Sequence, residues 1–65
     1  MTLYFIFKID QTGEPKKKMH LRARTIKSAW MGARPWFSDG LYLVTNADGT
    51  EAETHKINRG GGGEE

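Results

Sequence analysis

The chain contains no cysteine. That excludes a disulfide framework and any Cys-ligated zinc site, and it suits a reducing compartment. Long apolar runs are also missing. The opening MTLYFIFKID is apolar for only about five residues, with no basic leader before them and no small-residue cleavage site after them. A membrane span needs about 20 apolar residues, so neither a signal peptide nor a membrane helix is expected. These absences predict a soluble, cytoplasmic protein. Proline is scarce too, with two residues, Pro15 and Pro35, so each marks a boundary.

At 65 residues the chain holds one domain at most. A chain of that size buries only about 60% of its unfolded surface. Its seven aromatic side chains supply the area such a core needs, since each can bury roughly 150–250 Å².

The stretch from Thr25 to Phe37 organises the rest. Ile26, Ala29, Trp30 and Ala33 recur at i, i+3, i+4 and i+7, one stripe of an α-helix. Thr25 stands where an N-cap belongs. Pro35 restricts Arg34 and has no N–H, which predicts a helix end near Arg34. Trp36 and Phe37 follow as a bulky plug. They either complete the core or form an exposed anchor for a protein partner.

Residues 2–9 read as a strand rich in β-branched and aromatic types. Leu3, Phe5, Phe7 and Ile9 share one side and Tyr4, Ile6 and Lys8 the other. The first set is the more apolar and is expected to meet the helix. DQTGEP, residues 10–15, is a turn. Residues 16–24 alternate, with Met19, Leu21 and Ala23 inward and Lys18, His20, Arg22 and Arg24 outward. Residues 41–45 form a third strand. The Asp48-Gly49 pair marks a hairpin, and residues 51–57 form a polar fourth strand suited to a sheet edge. A two-residue turn at Asp48-Gly49 sets Leu43 opposite Thr54 and Tyr42 opposite His55, whereas a longer loop is expected to shift that register. RGGGGEE, residues 59–65, reads as a flexible tail. The expected fold is α+β: a four-stranded antiparallel sheet with one helix packed on one face, in the order β-β-α-β-β, over residues 1–58. The first strand is expected inside the sheet.

Catalysis, metal and cofactor binding find little support. Neither His20 nor His55 has a neighbour at a catalytic spacing, and 65 residues leave little volume for a substrate-burying cleft. Asn46, Asp48 and Gly49 match part of a calcium loop, but Val44 and His55 then occupy positions that require a carboxylate. Glycines 60–63 precede neither helix nor lysine, so they are no phosphate cradle. The chain reads as a non-enzyme with no metal, no cofactor and no small-molecule substrate.

Charge is distributed unevenly. Residues 1–35 carry eight basic side chains against two acidic ones, a net of +6. Residues 36–65 carry two against six, a net of −4. One positive surface, able to steer toward an anionic partner, follows from such a split. Tyr4, Ile6, Lys8, Lys18, His20, Arg22 and Arg24 are expected to share the outer face of the first hairpin, with Lys16 and Lys17 nearby. Basic groups interleaved with an aromatic fit a phosphate backbone, the acidic surface of a protein, or plain solvent. The partner-binding candidates are therefore Tyr4, Lys8, Lys16, Lys17, Lys18, His20, Arg22, Arg24, Trp36 and Phe37. There is no aromatic-rich ribonucleoprotein signature, and Phe5 and Phe7 are assigned to the interior.

Strand, Gly turn, strand, the helix start Ala23-x-Thr25-x-x-Ser28-Ala29, strand, Asp48-Gly49 hairpin and strand together resemble small phage and mobile-element accessory proteins, anti-CRISPR proteins among them. The resemblance spans residues 2–57. It implies stoichiometric binding that blocks a host nucleoprotein complex in the host cytoplasm, with direct DNA or RNA binding as the alternative. It transfers no functional residue.

Overall fold

The computed structural model describes residues 1–59. Four strands form one antiparallel sheet: β1, Thr2–Ile9; β2, Pro15–Ala23; β3, Gly40–Asn46; and β4, Ala52–Ile57. One helix, α1, Ile26–Ala33, joins β2 to β3 and covers one side. The spatial order is β2-β1-β3-β4, with the apolar β1 inside and the polar β4 at an edge, as expected.

α1 begins where capping chemistry places it. The Thr25 hydroxyl accepts the Ser28 N–H at 3.0 Å, satisfying one of the donors a helix start leaves open. Pro35 then tightens the chain into a single 3₁₀ turn, Arg34–Trp36. Ala29 and Ala33 are small enough to bring the helix backbone close to the sheet, and Trp30 fills the space between.

Trp30 is the centre of an aromatic stack. Its ring lies 4.8 Å from His55, 5.6 Å from Tyr42 and 6.3 Å from Phe37, and Phe37 lies 4.8 Å from Tyr42. Each such pair contributes about 0.5–1.5 kcal/mol beyond the area it buries. Tyr4, Ile6, Val44 and Ile57 complete the core.

The two hairpins differ. β3 and β4 keep one register, with Leu43 opposite Thr54 and Tyr42 opposite His55. The connection is longer than two residues. Asn46 accepts the Gly49 N–H through its carbonyl and donates its own N–H to the Glu51 carbonyl, enclosing residues 47–50. A loop symmetric about the Asp48-Gly49 bond preserves the pairing of the shorter turn.

β1 and β2 do not keep one register. Near the turn Lys8 pairs with Lys16 and Phe7 with Lys17. Beyond a bulge, Ile6 pairs with Met19, Tyr4 with Leu21 and Thr2 with Ala23. Lys18 is the extra residue. A one-residue slip exchanges the two faces of a strand. The slip overturns the face expected of β1. Tyr4 and Ile6, paired with the inward Leu21 and Met19, turn to the helix. Leu3, Phe5, Phe7 and Ile9 turn away from it.

The domain also extends one residue further than expected. Arg59 donates its backbone N–H to the Asp39 carboxylate at 2.8 Å, and its guanidinium donates to the carbonyls of Phe37 and Arg34. It ties the end of the chain's last strand to the 3₁₀ turn. The rest of the expected tail, residues 60–65, lies outside the described residues. Among the described residues no helix is long and apolar enough to cross a membrane.

Candidate functional site: the uncovered face of the sheet

Residues paired across an antiparallel ladder share a face, so the register lists the occupants of the uncovered side. β1 supplies Leu3, Phe5, Phe7 and Ile9. β3 supplies Leu41, Leu43 and Thr45, and β4 supplies Ala52, Thr54 and Lys56. β2 supplies Lys17, His20 and Arg22, opposite Phe7, Phe5 and Leu3. The centre of this face is apolar and aromatic and both margins are basic. Among its described strand residues the ionisable side chains are Lys17, His20, Arg22 and Lys56, and the loop residue Asp48 lines a surface pocket with Leu3 at one end. The one acidic residue on a strand, Glu53, pairs with Val44 on the covered side.

The two phenylalanines sit two residues apart on one strand, about 6.8 Å at the usual rise. Neither is fully buried. Phe5 stands in a small aromatic–cationic group. The His20 ring is 6.2 Å away, and the Lys17 ammonium lies over the Phe5 ring, 5.6 Å from its centroid. A cation–π contact at an exposed site is worth roughly 0.5–1 kcal/mol, so Lys17 is held lightly. Leu43 flanks Phe7 on the β3 side, Ile9 follows Phe7 along β1, and Arg22 and Leu3 extend the surface beyond Phe5.

The sequence-derived candidates on β1 and β2 divide into three groups. Lys17, His20 and Arg22 stand on the uncovered face as part of one surface. Tyr4 does not: it is 1% exposed, and its hydroxyl donates to Glu51 Oε1 at 3.0 Å. Burial, then the Glu51 hydrogen bond, raises its pKa above the ordinary tyrosine range. Tyr4 is a core residue, and so is Ile6. Lys8, Lys16 and Lys18 form the third group. The bulge sends Lys18 to the helix side, where it lines a cavity with Lys8, and Lys16 pairs with Lys8. Arg24 is exposed in the bend between β2 and α1, outside the ladder. Trp36 and Phe37 separate as well. Phe37 packs on Tyr42 and Trp30, whereas Trp36 is 79% exposed.

Leu3, Phe5, Phe7, Leu41 and Leu43 belong to the surface, and the sequence reading placed the first three inside. The missed signal is the Lys16-Lys17-Lys18 run. Three like side chains carry no alternation, so the ladder is free to slip there.

The described residues contain no group of three or more His, Cys, Asp or Glu side chains placed to hold a metal ion. The His55 Nε2 and Glu53 Oε1 atoms lie 2.8 Å apart, but the His55 ring is stacked on Trp30 and serves the core. The two shifted aspartates are turn residues. Asp10 is held below the ordinary carboxylate range by the Thr12 hydroxyl, and Asp48 by the Thr50 hydroxyl. Comparison of the chain with family models, curated proteins and solved structures finds no match.

Proposed function

We propose that this chain is a non-enzymatic binding module whose uncovered sheet face takes a single-stranded nucleic acid. The carrying observation is the juxtaposition of Phe5 and Phe7 with Lys17, His20, Arg22 and Lys56 on a face whose described strand residues include no carboxylate. Each base offers a flat surface to a phenylalanine ring, and stacking contributes about 1–3 kcal/mol per base. The spacing along β1 suits two bases splayed apart, as sheets that bind single strands hold them. The cations at both margins meet the phosphates on either side of the rings. Lys17 gives up its contact with Phe5 to a base and moves to a neighbouring phosphate.

A second copy of the chain is a poorer occupant. Two such faces brought together oppose basic margin to basic margin, which repels. An acidic protein surface meets the margins but uses the phenylalanines less. It is the occupant implied by the resemblance to phage accessory inhibitors, in which the module occludes part of a host nucleoprotein complex. The two readings separate on salt and on the rings.

The test is fluorescence anisotropy of a labelled, unphosphorylated single-stranded oligonucleotide. Contacts to phosphate by Lys17, Arg22 and Lys56 make affinity fall about twentyfold between 50 and 200 mM salt. Phe5→Ala with Phe7→Ala lowers affinity at least about tenfold at constant salt. No binding at 50 mM salt overturns the nucleic-acid reading, and so does binding that survives loss of both rings.

A further inference from the structure

On the covered side of the sheet, beyond the aromatic stack, lies a cavity of about 300 Å³. Its walls are Lys8, Lys18, Trp36, Phe37, Ser38 and Tyr42. That volume is at the lower end of small-molecule sites, about 300–1,000 Å³. The cavity is a different surface from the phenylalanine face, and nothing in it depends on what that face binds.

Three features give it a chemistry. First, two lysines line it, and among the described residues neither lies within ion-pair distance of a carboxylate. The nearby acids are engaged: Asp39 accepts the Arg59 N–H, and one Asp10 oxygen accepts from Thr12 and from the Glu14 N–H. A cavity lined by two lysines attracts an anion. Second, Lys8 is placed. Its ammonium lies 5.9 Å from the centroid of the Tyr42 ring. Its stem also runs over Gly40, where an added Cβ meets Lys8 Cε at 2.8 Å. Gly40 has φ +151°, so both the backbone and the missing side chain keep this channel open for Lys8. Third, Trp36 stays 79% exposed in a chain short of core, yet it sits on a fixed turn. Pro35 and the Arg59 guanidinium, which donates to the carbonyls on both sides of Pro35-Trp36, hold that turn. A fixed, exposed indole beside two lysines that no described carboxylate pairs matches a flat ring joined to a phosphate.

From this geometry we infer that the cavity binds a nucleoside monophosphate group, with Lys8 and Lys18 on the phosphate and Trp36 against the base. Free mononucleotide and the phosphorylated end of a strand share this chemistry.

The experiment is a titration followed by tryptophan fluorescence. Trp36 is the exposed indole and Trp30 the buried one, so contact with a base is read at Trp36. AMP is expected to quench saturably, with adenosine at least about tenfold weaker, because the phosphate carries charge-assisted bonds to lysine. Lys8→Met with Lys18→Met lowers AMP affinity by a similar factor. Lys18→Met alone, at an exposed position, gives a partial loss even if the double variant folds poorly. Phe5→Ala with Phe7→Ala leaves AMP binding as it is, so failure of the sheet-face reading and failure of this one are distinguishable. A 5′-phosphorylated oligonucleotide that quenches when AMP does not assigns the site to strand ends. Quenching by both assigns it to the shared group. Equal affinity for AMP and adenosine overturns the proposal, as does an unchanged affinity in both lysine variants. Absence of quenching by both AMP and the phosphorylated strand at millimolar concentration overturns it too.

Discussion

The two faces of this sheet carry similar numbers of large apolar side chains and treat them differently. On the covered side Tyr4, Ile6, Tyr42 and Val44 are sealed beneath Trp30 and two alanines of α1. On the other side Leu3, Phe5, Phe7 and Leu43 are only half-buried, screened by one another and by the stems of Lys17 and Arg22. Apolarity alone therefore does not tell inside from outside in a four-stranded sheet with a single helix. Charge does better. The face whose described strand residues are basic at the margins and include no carboxylate is the uncovered one, and that pattern is the reason binding is proposed there.

Substitution of matched residues tests this contrast most strongly. Ile6→Ala empties a fully buried site and is expected to lower stability by about 2–5 kcal/mol in denaturant titration. Phe5→Ala and Phe7→Ala, from half-buried positions, are expected to cost about 1 kcal/mol each, and together to weaken oligonucleotide binding at least about tenfold. Equal losses from the two sides would erase the distinction. A smaller effect is expected at the helix start. Thr25→Ala removes the hydroxyl that accepts the Ser28 N–H, at a loss of about 1 kcal/mol. Affinity on the uncovered face should not change, because α1 lies on the other side.

Acid should act on the turns before it acts on either face. Folding depresses the pKa of Asp10 and of Asp48 through hydrogen bonds to their ionised carboxylates, first from the hydroxyls of Thr12 and Thr50. A carboxylate with a depressed folded-state pKa contributes stability that is present above its unfolded value, about 3.9. That contribution is lost as pH falls through the lower, folded value. The melting midpoint is thus expected to decline below about pH 4. Asp10→Asn with Asp48→Asn should flatten the decline. The smallest change is expected from deleting Lys18. Removing the extra residue leaves Ile6 opposite Met19 and Phe7 opposite Lys17, so both faces keep their occupants and the midpoint should move little. A large loss of stability, or a change in which of Tyr4 and Phe5 is buried, would mean that the bulge does more than absorb a slip.

Most of the architecture was legible in the sequence. Helical spacing from Ile26 to Ala33, Thr25 as cap and Pro35 as stop fix α1. The alternation of Met19, Leu21 and Ala23 fixes the inner side of β2. The Asp48-Gly49 pair marks the β3–β4 hairpin, and the register expected of a two-residue turn survives in a longer loop because that loop is symmetric about the same bond. The face of β1 was not legible, for a local reason. Counting back from the Asp10–Pro15 turn pairs odd residues with odd, which puts Leu3 and Phe5 beside Leu21 and Met19. One extra lysine in a run of three changes that parity, and nothing in three identical side chains announces it. The candidate site inherited the error. Lys17, His20 and Arg22 were found from their charge, whereas Phe5 and Phe7 were hidden by the expectation that a small core needs every aromatic. Trp30 with His55 and Phe37 shows how that core is completed without them.

The account's central claim is that Phe5 and Phe7 form the working surface, backed by a helix that takes no part. An NMR titration of the backbone amides with an unphosphorylated single-stranded oligonucleotide addresses it most directly. Shifts confined to the strands that build the uncovered face, from Leu3 to Ile9, Lys17 to Arg22, Leu41 to Thr45 and Ala52 to Lys56, with α1 silent, are the predicted result. A footprint centred on Ile26–Ala33, or an unshifted spectrum at low salt, would contradict it.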